Sequence, residues 1–148
     1  MPKNNANIGN SQSKRSQYSQ PDPDQHSYKN LIVWQKGIDF AIDVIDLVDH
    51  METDRKHYRL IEQLEASATS VPMNIAEGKG RFTDKDYGHY LVIARGSLYE
   101  TMTLLEIFMR KNWISIDQFN AIEKQSIEIS KMLTSIHYNL RNQDCPRA

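Results

Sequence analysis

Two groups of basic residues stand beside aromatic ones. Lys79, Arg81 and Lys85 flank Phe82, and Arg110 and Lys111 precede Trp113. Clustered lysine or arginine holds phosphate esters, and nucleobases stack on exposed aromatic rings, so each group has the chemistry of a nucleic-acid contact. The same residues have a plainer use. Cations near a helix C-terminus complement its dipole, and an aromatic at a helix start can pack as a staple. Both readings remain open from the sequence.

Other chemistry has less support. His50, Glu52, Asp54 and His57 crowd one short stretch, while His89 and His137 lie far apart in sequence. Di-iron helical bundles place Glu-x-x-His on paired helices, and that spacing does not occur here. Ser70, Ser97 and Ser126 have no histidine and carboxylate at a spacing that would activate them, and small polar residues at helix contacts account for them. Gly78-Lys79-Gly80-Arg81 is too short, and lacks the preceding strand, to cradle a phosphate. The expectation is a non-enzymatic protein with no metal and no cofactor.

The whole chain bounds these options. Its 148 residues are one domain's worth, 39% of them hydrophobic and 25% charged. The net charge of −1 and isoelectric point near 6.5 lack the basic excess of a dedicated nucleic-acid binder, although a local patch remains compatible with them. Cys145 is the single cysteine, so neither an intrachain disulfide nor a cysteine zinc site is available. No apolar run approaches the ~20 residues of a membrane span, and no secretory signal is evident, so a cytoplasmic location is expected. Residues 1–27 are rich in Asn, Ser, Gln and Pro and read as a disordered tail. Residues 28–141 read as the folded unit, and 142–148 as a flexible C-terminal tail.

The elements that must position the candidate residues are helices. The first is expected over residues 30–50. Trp34, Ile38, Ala41, Ile45 and Val48 form one apolar row; Phe40, Val44, Leu47 and Met51 form another. At about 100° per residue the rows lie about 110° apart. The first row is expected to face the bundle, and the second to form an oligomer interface with another copy, since a soluble monomer avoids such a patch; the alternative is a deeply inserted helix with one wide buried face. The second helix is expected over 54–77, capped by Thr53 or Asp54. The third, over 84–111, opens with Thr83 as cap, Asp86 three residues on, and Phe82 with Tyr87 as staple. Its seam is Tyr87, Leu91, Ala94, Leu98, Thr101, Leu105 and Phe108. The fourth, over 116–141, has Ser115 and Gln118 as a capping box and Phe119, Ile122, Ser126, Ile129, Leu133, Ile136 and Leu140 as its seam. Nothing alternates with the period of a strand. The fold class is all-α: an antiparallel up-down-up-down four-helix bundle.

Within the second helix, Ile61, Leu64, Ala68, Val71 and Ile75 share a face that Pro72 interrupts, so a kink is expected there, with Asn74 bonding a freed backbone group. Gly78 and Gly80 end the helix. Gly96 and Ser97 in the third helix are expected to let a neighbouring helix approach closely.

The stretch Gln63 to Arg81 resembles a pattern, roughly Q-L-R-R-A-A-x-S-I-P-x-N-I-A-E-G-x-G-R followed by I-A-x-G-S-L-x-E, of the four-helix-bundle proteins encoded in intervening sequences of bacterial 23S ribosomal RNA genes. Gln63, Leu64, Ala68, Ser70, Pro72, Asn74, Ile75, Ala76, Glu77, Gly78, Gly80 and Arg81 match it, as do Ile93, Ala94, Gly96, Ser97, Leu98 and Glu100. The similarity extends over roughly residues 28–140. Glu65 and Ala66 stand where the family usually has two arginines. By phase, Glu77 and Glu100 fall near the buried sides of their helices, and without that pair either Lys79, Arg81 or Arg95 must neutralise them or they must reach solvent. The family is related to the accessory variability determinant of diversity-generating retroelements, a pentameric bundle that binds nucleic acid and a reverse transcriptase. The resemblance implies a homo-oligomer, by that relation a homopentamer, with RNA or DNA and a reverse transcriptase or other protein as partners. The alternative is a protein-interaction scaffold without nucleic-acid binding.

Overall fold

The computed structural model describes residues 23, 25–51, 53 and 57–143. The expected N-terminal tail lies almost wholly outside these, as do Asp54, Glu52 and the last five residues. A short 3-10 helix at Ser27–Asn30 leads into four α-helices: α1 (Ile32–Asp49), α2 (Tyr58–Lys79), α3 (Asp84–Arg110) and α4 (Ile116–Gln143). No strand occurs among the described residues. Each helix packs on its neighbours in sequence, and α1 also packs on α4, which closes a four-helix bundle.

Local chemistry places two of the four helix starts, those of α3 and α4. Thr83 Oγ1 accepts from the Asp86 backbone N–H at 3.1 Å, which satisfies one of the donors a helix start leaves free. At α4 the capping box is reciprocal: Gln118 N–H donates to Ser115 Oγ at 3.1 Å, and Ser115 N–H to Gln118 Oε1 at 2.8 Å. Helix α2 departs from expectation. It begins at Tyr58, where His57 provides no side-chain cap, and Thr53 Oγ1 is buried with no hydrogen-bond partner. The staple expected before α3 is absent as well, because Phe82 stands fully in solvent while Tyr87 is buried.

The core follows the seams of α3 and α4. Tyr87, Leu91, Ala94, Leu98, Thr101, Leu105 and Phe108 are all buried, as are Phe119, Ile122, Ser126, Ile129 and Leu133. Helix α1 is the exception. Phe40 and Val44 are 0% exposed and Leu47 is 9% exposed, and Met51 packs against the same cluster. Trp34, Ile38, Ile45 and Val48 are only half-buried. The row expected to meet another subunit is therefore the row that faces the monomer's own core. The physical reason is packing: α1 lies against both α2 and α4, Phe40, Val44 and Leu47 fill the space there, and of the other row only the small Ala41 is buried with them.

Pro72 lies inside α2 and is buried. A β-carbon built on Gly37 of α1 would lie 3.4 Å from Pro72 Cβ, so the bare Gly37 backbone marks where the two helices meet. Asn74 does bond a backbone carbonyl, but it is that of Ser70, at 2.8 Å, rather than that of Ala68, which loses its donor to the proline. Gly78 answers a strict requirement. A β-carbon there would come within 2.7 Å of Tyr90 Cβ and 3.0 Å of the Tyr87 ring, so any side chain would push α3 away from the end of α2. Gly96 reverses expectation: nothing lies within 4 Å of a β-carbon built on it, and it faces solvent. Ser97, beside it, makes the interhelical contact instead.

Candidate nucleic-acid interface

The α2–α3 turn does not assemble its three cations into one patch. Arg81 donates to Glu77 Oε1 at 2.6 Å, also bonds the Tyr90 hydroxyl, and lies 4.5 Å from the centroid of that ring. Lys79 Nζ sits 5.6 Å from the Tyr87 ring centroid, and burial raises the pKa of the Tyr87 hydroxyl. These contacts hold the end of α2 against the start of α3. Lys85 faces elsewhere, into a groove shared with α4. At the far end of α3, Arg110 is bound to Glu106 Oε1 at 2.7 Å. Trp113 is stacked on His57 at 4.6 Å and edge-on to Phe108 at 5.0 Å, so its ring is already engaged beside Lys111.

Of the two alternatives for Glu77 and Glu100, the second holds: both side chains reach solvent. Glu77 takes Arg81, and Glu100 accepts from Gln63 Nε2 at 3.1 Å. Between them runs a polar ladder joining α2 to α3: Ser70 to Ser97 at 2.8 Å and Thr101 to Ser67 at 2.9 Å, with Asn74 also reaching Ser70. The residues that carry the family pattern thus tie two helices together, and the serines are engaged in packing. No group of three or more His, Cys, Asp or Glu side chains capable of holding a metal ion occurs among the described residues.

Four of the cations that form no ion pair among the described residues lie on the α3/α4 face. Arg95, Ser130, Lys131, Thr134, Ser135 and Tyr138 line a depression of about 460 Å³. A second of about 490 Å³ is lined by Asp84, Lys85, His89, Val92, His137 and Arg141, among others. The helices run in opposite senses here, because His137 lies against Gly88 while Ser130 meets Tyr99 further along α3. The depressions follow one another along that seam and carry Lys85, Arg95, Lys131 and Arg141 against the single carboxylate of Asp84. None of the four cations forms an ion pair among the described residues. Arg95 donates to the Tyr99 hydroxyl at 2.8 Å and lies 5.0 Å from its ring centroid. The hydrogen bond with Ser130 does most to hold the Tyr99 hydroxyl below the usual tyrosine pKa; burial opposes it, and the hydrogen bond and charge of Arg95 add to the lowering.

Arg95, Lys131, Arg141 and Tyr138 were not singled out as binding residues from the sequence. A signal existed in their spacing. Lys131, Thr134, Tyr138 and Arg141 recur every three or four residues on α4, just outside its apolar seam. Nothing in that spacing says that Arg95 and Lys85 of α3 lie across from them.

The other groove of α4, facing α1, has the opposite character. Lys36, Asp39, Asp43, Gln125 and Glu128 line a cavity of about 230 Å³. Lys36 pairs with Glu128 at 2.9 Å, and Gln125 donates to Asp43 at 2.8 Å.

No helix among the described residues is long and apolar enough to cross a membrane. Comparison with known proteins bears on the fold and the family. Among curated proteins none matches the chain. A crystal structure of a protein of unknown function from the S23 ribosomal protein family of Bacteroides thetaiotaomicron is similar, with a TM-score of 0.67 and 30% sequence identity, over 72% of this chain and 98% of that one. The family model for 23S rRNA-intervening sequence proteins matches residues 29–135, which takes in all of α1, α2 and α3 and most of α4. With the Gln63–Arg81 pattern and the four-helix bundle it builds, the chain belongs to the 23S rRNA-intervening sequence protein family.

Proposed function

We propose that this chain is a non-catalytic accessory module that binds nucleic acid and works as a self-associated assembly. The observation that carries the first half is the separation of charge on the bundle. Lys85, Arg95, Lys131 and Arg141 line one groove without ion-pair partners, although the chain as a whole is slightly acidic. Cations held in structural pairs have little left to offer a phosphate; cations without pairs lose little on binding one. Lys79 and Lys111, also without carboxylate partners, extend the basic surface to the two ends of α3. Arg81 and Arg110 are less suited, being bound to Glu77 and Glu106.

Self-association draws its support from the outer surface of α2 and α3 rather than from α1. Met73 of α2 and Ile93 of α3 are exposed, and Gly96 leaves bare backbone one turn from Ile93. An exposed helix-interior glycine costs about 1 kcal/mol against alanine, a cost with a use if another surface packs there. A pentameric assembly and a reverse transcriptase partner rest on family resemblance alone. A protein-interaction scaffold is the competing reading, and the fully exposed Phe82 favours it.

Filter binding of the full-length chain to labelled RNA and DNA, titrated with salt, separates the two. A nucleic-acid module loses affinity linearly in log–log form as salt rises. A pure scaffold retains neither RNA nor DNA even at low salt. Light scattering at micromolar concentration reads the assembly, and a monomer there would remove the self-association.

A further inference from the structure

We propose that the α3/α4 groove is a track for a single strand of nucleic acid, with phosphates on its cations and a base stacked on Tyr138. The inference rests on the nucleic-acid reading above and makes it specific. The groove has three components that a single-strand site combines: a cationic track, an exposed aromatic face, and neutral hydrogen-bonding groups.

The cations come in two facing rows. Lys85 and Arg95 are ten residues apart on α3, and Lys131 and Arg141 are ten apart on α4. At 1.5 Å per residue each row spans about 15 Å. A stacked strand at 3.4 Å per phosphate would place about four phosphates along it. Tyr138 lines the same depression as Arg95 and Lys131 and is 65% exposed, so one face of its ring is available. Ser130, Thr134 and Ser135 line the depression too and offer hydroxyls that donate or accept. Tyr99 is less available, because its ring carries Arg95 and its hydroxyl bonds Ser130.

The aromatic component distinguishes a single strand from a duplex. In a duplex the base faces are stacked on one another and only phosphates and edges are offered, so Tyr138 would contribute little. In a single strand a base can be splayed from its neighbours and stack on the ring. Asp84 at the groove's end would oppose phosphate there, so binding is centred on the Arg95, Lys131 and Tyr138 end.

The test uses the full chain with two probes, a fluorescein-labelled 12-nucleotide oligouridylate and a 12-base-pair RNA duplex of mixed sequence, read by anisotropy. Tyr138→Ala should weaken the single strand roughly tenfold or more and the duplex hardly at all, with Tyr138→Phe close to wild type. Arg95→Ala with Lys131→Ala should reduce the single-strand salt slope by about 1.4, at about 0.7 per phosphate contact. All three side chains concerned are outside the core, and circular dichroism verifies that each variant keeps its helicity. Wild-type affinity and slope in both variants would exclude the groove while leaving nucleic-acid binding elsewhere on the chain intact. Duplex affinity equal to that of the single strand, with Tyr138→Ala without effect on either, would overturn the stacked-strand inference. Failure of the wild type to bind any nucleic acid would overturn the broader proposal as well.

Discussion

Helix α4 contributes to two grooves of opposite charge. Toward α3 the lining carries Lys85, Arg95, Lys131 and Arg141 against Asp84; toward α1 it carries Asp39, Asp43 and Glu128 against Lys36. The acidic groove also commits its charges. Lys36 and Glu128 form an ion pair, and Asp43 is bonded by Gln125, so that polar surface ties α1 to α4. Across the basic groove Tyr99 and Ser130 make a hydrogen bond of 3.3 Å, and none of its four cations forms an ion pair among the described residues. A net charge of −1 thus averages over two surfaces with different work to do. In a bundle this small, charge left without a structural partner is a better guide to a binding surface than charge counted along the chain.

The strongest way to break this contrast is to remove a wall of the acidic groove. Val44→Glu with Leu47→Glu puts two carboxylates into the core, and burying unpaired charge costs several kcal/mol for each. The double variant should unfold rather than dissociate into helical monomers, as circular dichroism would register. Retained helicity with a smaller particle in light scattering would instead return the row to an interface.

Charge reversal sharpens the contrast next. Arg95→Glu with Lys131→Glu should lower nucleic-acid affinity by at least tenfold at low salt, whereas Asp39→Asn in the acidic groove should leave the salt slope as it was. Equal effects from both would mean that only the overall charge matters.

A smaller effect is expected at the tie between α1 and α4. Gln125→Leu removes the part-buried hydrogen bond to Asp43 and should cost about 1.5 kcal/mol, read as a lower urea midpoint. Nucleic-acid affinity, measured on the same protein, should not change.

Gly96→Ala should do least. With open space around the position, the monomer should gain about 1 kcal/mol and melt a few degrees higher. If a second copy packs on that bare backbone, the same variant should weaken the assembly seen by light scattering.

The heptad seams of α3 and α4, and the caps at Thr83 and Ser115, were readable directly, because they are short-range patterns: a side chain bonding three residues on, or apolar residues repeating on one face. The family was readable for a similar reason, since its pattern is a local run from Gln63 to Arg81. The start of α2 was less so. His57 and Tyr58 lack a side-chain cap, and nothing at Thr53 marks the true boundary.

Helix α1 and the basic groove needed the packed molecule. Two apolar rows about 110° apart give α1 two nearly equivalent ways to face a core. Which row turns inward depends on the volumes that α2 and α4 present, and Phe40, Val44 and Leu47 turned inward. Glu77 and Glu100 reached solvent for the same kind of reason, since a modest rotation about the helix axis moves a boundary residue from buried to exposed. The candidate site depends on the largest separations in sequence. Arg95 and Lys131 belong to one groove because the α3–α4 turn brings the two helices back alongside each other. Side-chain periodicity specifies the face of a single helix; the register between two helices is set by how their ridges and grooves interlock.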